Sequence, residues 1–351
     1  MVRMRPAALA AALMAALFLA VAAAGAPHVL RGSVARGPVP VPSAEVAAVS
    51  PGVSPGVSPA PTRIPQPSAR IGAGMAFDAA RGATVLFGGS AAAGQLDDTW
   101  TFNGKAWTLR TTSVVPRARD LPGVTYDAAR AQTLLFGGRA GQAPLADTWT
   151  WDGAAWNQLH PAHQPPARYG ALLAYYPSTG AAILYGGVGL SGVLHDTWGW
   201  TGSDWQPVVD AGAPAVGEGG SMAYDARQAR LLAVGDDGYW SFVGGRWIRV
   251  DNTPAGLPTS FAAAVYDNDV NSILLFGGQG AGGPSSDLWA FDGRRWEKRD
   301  AASPPPPRAH PALAYDDKEG ALVVFGGAAA GGAPLGDTWL WTAKDGWRSV
   351  S

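Results

Sequence analysis

The chain has 351 residues, including 47 Gly, 29 Pro and 15 Trp, with 15% charged side chains and a formal net charge of −1. No run of Lys or Arg forms a basic stripe, so nucleic acid is not an expected partner. The lack of cysteine excludes disulfides, thiolate metal sites and a cysteine nucleophile. Abundant aromatics beside Gly and Pro point to many short strands between turns, not to disorder throughout.

Arg3 and Arg5 precede a charge-free apolar run from Ala7 to Ala24, which Gly25 follows. A basic start, an apolar stretch and a small-residue exit make a secretory signal. Residues 1–26 are therefore expected to be a signal peptide. The run is also close to the roughly 20 apolar residues that span a bilayer, so an uncleaved N-terminal membrane anchor is the rival. Both place the rest of the chain outside the cytoplasm, secreted or at the cell surface. Residues 27–68 are rich in Pro, Ser and Gly (VPVPSAEVAAVSPGVSPGVSPAPTRIPQP) and read as a disordered stalk, because proline fixes φ and removes backbone donors.

From residue 69 to 351 the chain repeats itself. One tryptophan series is Trp100, Trp149, Trp198, Trp240, Trp289 and Trp339, with spacings of 49, 49, 42, 49 and 50. A second, Trp107, Trp156, Trp205, Trp247, Trp296 and Trp347, follows it by seven residues, or by eight in the last repeat. Glycine pairs keep the same beat at Gly88-Gly89, Gly137-Gly138, Gly186-Gly187, Gly277-Gly278 and Gly326-Gly327, while the fourth repeat keeps only Gly235. The repeats fall at about 69–115, 116–164, 165–213, 214–255, 256–304 and 305–351.

Each repeat reads as four strands. The first ends in an aromatic and a turn residue, as in Phe77-Asp78 and Tyr126-Asp127. The second is an apolar run such as ATVLFGG, suited to burial on both faces. The third is DTWTF or a variant, and Asn103-Gly104, Asp152-Gly153 or Asp292-Gly293 leads into the fourth, a pairing suited to type I′ turns. Six such meanders predict an all-β fold, a six-bladed β-propeller of four-stranded antiparallel blades.

The double glycine after an apolar strand, the DTW strand and the tryptophan seven residues on resemble kelch repeats. An arginine near the start of the first strand (Arg70, Arg119, Arg168, Arg308) fits too, although Gly217 and Thr259 replace it in repeats four and five. The resemblance implies blades around a central channel, with ligands met by loops at one end. Galactose oxidase-like enzymes share these repeats but need a cysteine cross-linked to a tyrosine; a chain without cysteine cannot form that copper site. Kelch-type sugar epimerases do not need it.

The strict periodicity of the tryptophans assigns them to packing between blades, since a ligand site breaks symmetry. The recurring Asp98, Asp147, Asp196, Asp287 and Asp337 are expected to accept backbone N–H bonds where a loop enters a strand. The arginine set is expected to tie strands or neighbouring blades. Histidine is scarce. His160 and His163 share a loop without a nearby carboxylate in that segment, and His310 takes a place where kelch repeats often carry histidine. No catalytic, cofactor-binding or metal site is legible, and no cofactor is expected.

Repeat four breaks the symmetry, because its loop after Gly235 shrinks to Asp236-Asp237-Gly238. This suggests a notch in the rim, lined by Asp236, Asp237 and Tyr239, with His195 and Gln279 from neighbouring loops, as a ligand or partner site. The chain is thus expected to be a monomeric, extracytoplasmic kelch-type binding module for a protein or glycan, with membrane tethering by its N-terminal segment if uncleaved. The alternative is a carbohydrate-active enzyme of epimerase-like type.

Overall fold

A computed structural model describes residues 65–350, apart from 210–211, 215, 236–237, 251–253 and 300–301. Residues 1–26, expected to be a signal peptide or anchor, and the expected stalk as far as Ile64 lie outside the described residues. Pro65–Ser68, assigned to the stalk from sequence, belong to the folded unit that begins at Pro65. Ser68 accepts two bonds there, from Arg70 Nε to its carbonyl oxygen and from Arg70 Nη2 to its hydroxyl.

The described residues form six antiparallel blades and contain no helix. The first strands of the repeats line the axis: Gly74–Asp78, Gly123–Asp127, Leu172–Tyr176, Ser221–Asp225, Ser260–Asp267 and Ala312–Asp316. Each packs against the first strands of both neighbouring blades. The apolar second strands, such as Ala83–Phe87 and Gln132–Phe136, are buried on both faces, as their unbroken hydrophobic runs require. The outermost strands, such as Trp107–Arg110, bury only the tryptophan and expose the rest.

The ring closes without a shared strand. Blade 1 is built wholly from the first repeat and blade 6 wholly from the last. They meet through Trp107 Nε1, which donates to Thr338 Oγ1 at 2.8 Å, and through two backbone bonds, Arg70 N to Leu335 O and Gly327 N to Arg70 O, both 2.9 Å.

The second tryptophan series forms the interblade seams. Each ring packs on an aromatic of the preceding blade: Trp156 on Phe87, Trp205 on Phe136, Trp247 on Tyr185, Trp296 on Tyr239, Trp347 on Phe276 and Trp107 on Phe325. Four of these indoles also donate to a buried threonine across the seam, Thr338, Thr99, Thr148 or Thr197. In blade 5 that place is taken by Leu288, and the Trp347 indole N–H is buried without a partner. An unmet buried donor costs about 1–3 kcal/mol. Leu288→Thr should therefore be close to neutral, the regained hydrogen bond offsetting lost burial, whereas Leu288→Ala should cost about 2–5 kcal/mol. Urea unfolding of the two variants measures this, and equal losses would argue against the seam bond.

The aspartates that precede the first tryptophan series were expected to accept backbone N–H bonds, but their main partners are side chains. In four blades arginine, aspartate and tryptophan form one unit. Arg70 donates to both carboxylate oxygens of Asp98 at 2.6 and 2.8 Å and to the Gly88 carbonyl, and Trp100 Nε1 donates to Asp98 at 2.7 Å. Arg119–Asp147–Trp149, Arg168–Asp196–Trp198 and Arg308–Asp337–Trp339 repeat it. The arginine's backbone also bridges to the preceding blade, as where Gly89 N donates to Arg119 O at 2.8 Å. Gly88 must be glycine here: its φ is 66°, and a Cβ would come within 2.7 Å of that carbonyl oxygen. Blade 5 has Thr259 in place of the arginine, so Asp287 pairs with Lys298 instead and the Trp289 indole N–H is left without a partner.

The Asn103, Asp152 and Asp292 turns differ from the type I′ expectation. Only their glycines have positive φ. The aspartate or asparagine side chain accepts from the backbone N–H groups two and three residues on, making four-residue loops between paired Phe102 and Trp107 and their equivalents.

Candidate functional site at the channel mouth

One end of the channel is built by the residues that follow the recurring arginine. The six equivalent positions hold Ile71, Asp120, Tyr169, Glu218, Ser260 and Ala309. Most pair with the residue after the double glycine: Ile71 with Ser90, Asp120 with Arg139, Tyr169 with Val188, Ser260 with Gln279 and Ala309 with Ala328. This pairing brings the loops between second and third strands to the same end. In blades 1, 2, 3 and 6 the arginine–aspartate units anchor the backbone just before these positions, while the side chains at them vary from blade to blade.

Blades 2–4 contribute a polar cluster. Asp120 is 3% exposed and accepts from Arg139 Nε and Nη2, both at 3.1 Å, and from Ser90 Oγ at 2.7 Å. The Arg139 guanidinium lies 4.9 Å from the centre of the Tyr169 ring. Glu218 of blade 4 sits against Gly170 of blade 3, where a Cβ would come within 2.5 Å of the Glu218 Cα. Burial pushes the Glu218 carboxyl above its ordinary value, with Asp120 adding to the rise and Arg139 opposing it. Burial and the Glu218 charge likewise raise the Tyr169 phenol, against Arg139.

Blades 5 and 6 contribute aromatics one residue further in. Phe261 and His310 stack with ring centroids 4.2 Å apart. Desolvation lowers His310 to about 4, with Arg139 adding to the fall and Asp120 opposing it, so the imidazole is neutral at pH 7. Leu121, Phe261 and His310 occupy the left-handed region at φ 49°, 59° and 50°. Gly72 and Gly170 hold the same place in blades 1 and 3 without strain. A side chain at such a φ costs of order 1–3 kcal/mol, and such strain gathers at ligand sites. Four backbone bonds stitch this ring: Leu121 N to Gly72 O, Gly170 N to Leu121 O, Phe261 N to Gly219 O and His310 N to Phe261 O, at 2.7, 2.9, 2.6 and 2.8 Å.

Beneath the mouth lies a cavity of about 200 Å³ whose wall is drawn from the first strands of all six blades. Its lining includes Ala73, Val124, Leu172, Met222, Ala264 and Leu313, and it reaches Glu218 and His310 at the mouth. Among the described residues no group of three or more His, Cys, Asp or Glu side chains is arranged to hold a metal ion.

Of the five residues assigned to a notch, the structure describes three. Asp236 and Asp237 lie outside the described residues. Tyr239 is 1% exposed and packed on Trp296 in the seam between blades 4 and 5, so it does not line an opening. Gly235 pairs with Gly238, and the strand continues through Tyr239; alternation then aims its ring at the neighbouring blade. Burial pushes its hydroxyl well above the ordinary phenol range. His195 is exposed, its Nδ1 3.2 Å from the Pro214 carbonyl oxygen. Gln279 is half-buried and pairs with Ser260 at the mouth. His163 finds a carboxylate outside its own loop, Asp204, at 2.7 Å on the exposed surface.

No family model and no curated protein matches this sequence. Among solved structures, one titled "Structure of YjhT" aligns with 82% of this chain and 99% of its own, with a TM-score of 0.61 and 17% identity. The chain shares the fold of YjhT. At that identity the likeness is one of architecture, and it supports the propeller assignment without transferring an activity.

Sequence reasoning passed over Asp120, Arg139, Tyr169, Glu218 and Phe261. The available signal was the contrast between a recurring arginine and an unrepeated neighbour: Arg70-Ile71, Arg119-Asp120, Arg168-Tyr169 and Arg308-Ala309.

Proposed function

We propose that this chain is an exported, kelch-type propeller that binds a glycan at the mouth of its central channel. The observation that carries this reading is the unrepeated cluster of Asp120, Arg139, Tyr169, Glu218 and His310 on an otherwise repetitive frame. Carboxylate acceptors, a guanidinium donor and aromatic faces at one mouth, with Glu218 and His310 reaching the cavity below, suit a neutral polyhydroxylated ligand. Arg139 is already paired with Asp120, so the cluster offers no net positive charge for an anion. The leader-like segment and the proline-rich stretch support a location outside the cytoplasm, and the kelch-like spacing supports the family assignment.

A second reading, an epimerase-like carbohydrate-active enzyme, draws on one feature. Glu218 and His310 face one mouth with their proton affinities pushed in opposite directions, a pattern that suits acid–base exchange.

Titration of the purified chain against a broad glycan panel, with released or converted sugar monitored, tests both. Saturable binding is expected, and Glu218→Gln should weaken it by roughly tenfold or more, the loss of a charged hydrogen bond. The same substitution should leave the unfolding temperature level or slightly higher, because it removes a half-buried charge. Product formation would favour the enzyme. Silence across the panel, or binding indifferent to Glu218→Gln, would turn the search to a protein partner.

A further inference from the structure

Each of the six first strands pairs along one edge only, with the second strand of its own blade. Its other edge faces the axis, where alternate residues turn their N–H and C=O groups inward. Below the mouth ring no backbone bond joins one first strand to the next among the described residues. Small residues stand at this depth, including Gly74, Gly123, Gly220, Ser221, Ala262 and Ala312, and they leave the edges short of side-chain cover. A backbone group enclosed without a partner costs about as much as a lost hydrogen bond. The cavity therefore suits an occupant that donates and accepts around its whole outline, as a ring of hydroxyls does. Its volume of about 200 Å³ lies below the roughly 300 Å³ at which pockets for drug-sized ligands begin, room for one pyranose ring and not two. The lining of each first strand stops two residues short of the strand's aromatic, as Met75 does before Phe77 and Leu313 before Tyr315. A chain can enter at the Glu218 end, but the lining offers it no path past the aromatic row.

Resting on the glycan reading above, we propose that the channel recognises the end of a glycan chain. The terminal neutral sugar ring passes Glu218 and fills the cavity, hydrogen-bonded to the free strand edges. The next sugar stays outside, beside Arg139 and Tyr169. Such a site selects chain ends over internal units and over cyclic chains, which have no end to offer.

Calorimetric titration of the full chain with linear glucose, mannose and N-acetylglucosamine oligomers, from the single sugar to the hexamer, tests this. Each oligomer is also offered with one end or the other blocked by a bulky label, and the cyclic glucose hexamer is set against the linear one. Affinity should rise from the single sugar to the dimer and then level off. Blocking the end that enters should cost roughly tenfold or more, the loss of several hydrogen bonds, while blocking the other end should cost little. The cyclic hexamer should bind at least roughly tenfold more weakly than its linear counterpart. Glu218→Gln should weaken the single sugar and the trimer by the same factor, because Glu218 lines the cavity that holds the end unit.

Binding indifferent to a block at either end, affinity that climbs with every added unit, or a cyclic hexamer bound as tightly as the linear one would overturn the inference while leaving the glycan reading intact. A Glu218→Gln loss confined to the longer oligomers would do the same, since it would place Glu218 on an internal unit. No binding of any oligomer or single sugar would overturn both.

Discussion

Arg119→Ala should destabilise the propeller by about 3–5 kcal/mol, the usual loss when one partner of a buried ion pair is removed. The Arg119 side chain is fully buried and satisfies three acceptors at once: Asp147, at 2.6 and 2.7 Å, and the carbonyls of Gly137 and Arg117, both at 2.8 Å. Truncation strands all of them, and it strands them where the Arg119 backbone is bonded to Leu96 and Gly89 of the preceding blade. The unfolding temperature should fall by on the order of 10 °C for a domain of this size. The acid limb supplies a second readout. Burial pulls Asp98, Asp147, Asp196 and Asp337 upward, but the arginine and indole donors outweigh it and hold all four below the ordinary carboxylate value. A carboxyl lowered by folding stabilises fully above its unfolded value near 3.9, and the contribution disappears as pH falls through the folded value. Stability should therefore drop steeply below about pH 4, less steeply in Arg119→Ala, where Asp147 has lost its main partner. A variant as stable as the parent, with an unchanged acid profile, would show that these units are ornamental.

The second large effect is expected at the seams. Trp205 is fully buried, packs 5.2 Å from Phe136 of the preceding blade, and donates from Nε1 to Thr148 at 2.9 Å. Trp205→Ala should cost about 3–5 kcal/mol, the range for deleting a buried aromatic. Replacement by phenylalanine separates the ring from its hydrogen bond. Trp205→Phe strands Thr148 and loses a made bond, while Trp347→Phe removes an indole N–H that has no partner. Urea unfolding should therefore rank Trp205→Phe as the costlier by about 1 kcal/mol or more. Equal costs would mean that ring shape, not the threonine bond, sets the seam.

The architecture was legible because packing repeats. Six pairs of tryptophans in register fix the number of blades, and the apolar runs before each double glycine mark strands buried on both faces. The arginine and aspartate series were legible only as separate rows. They stand 28 residues apart in three blades and 29 in another, a spacing with no local geometric meaning until the chain has folded back on itself. Tyr239 shows how a correct observation misleads. The short fourth loop is real, but the adjoining strand extends to Gly238, so the tyrosine falls in the strand place that Thr99, Thr148 and Thr197 hold elsewhere and faces the next blade. The mouth cluster was illegible for a different reason. Asp120, Arg139, Tyr169, Glu218 and His310 come from four blades and are distant in sequence, and only ring closure brings His310 back beside the charges of Asp120 and Arg139.

The most direct test of the account is a crystal structure of the chain soaked with the tightest-binding member of the glycan panel. Sugar density is expected at the channel mouth, hydrogen-bonded to Glu218 and Arg139 and lying beside His310. Density on the outer strands, or at the Asp236-Asp237 loop with the mouth empty, would contradict it.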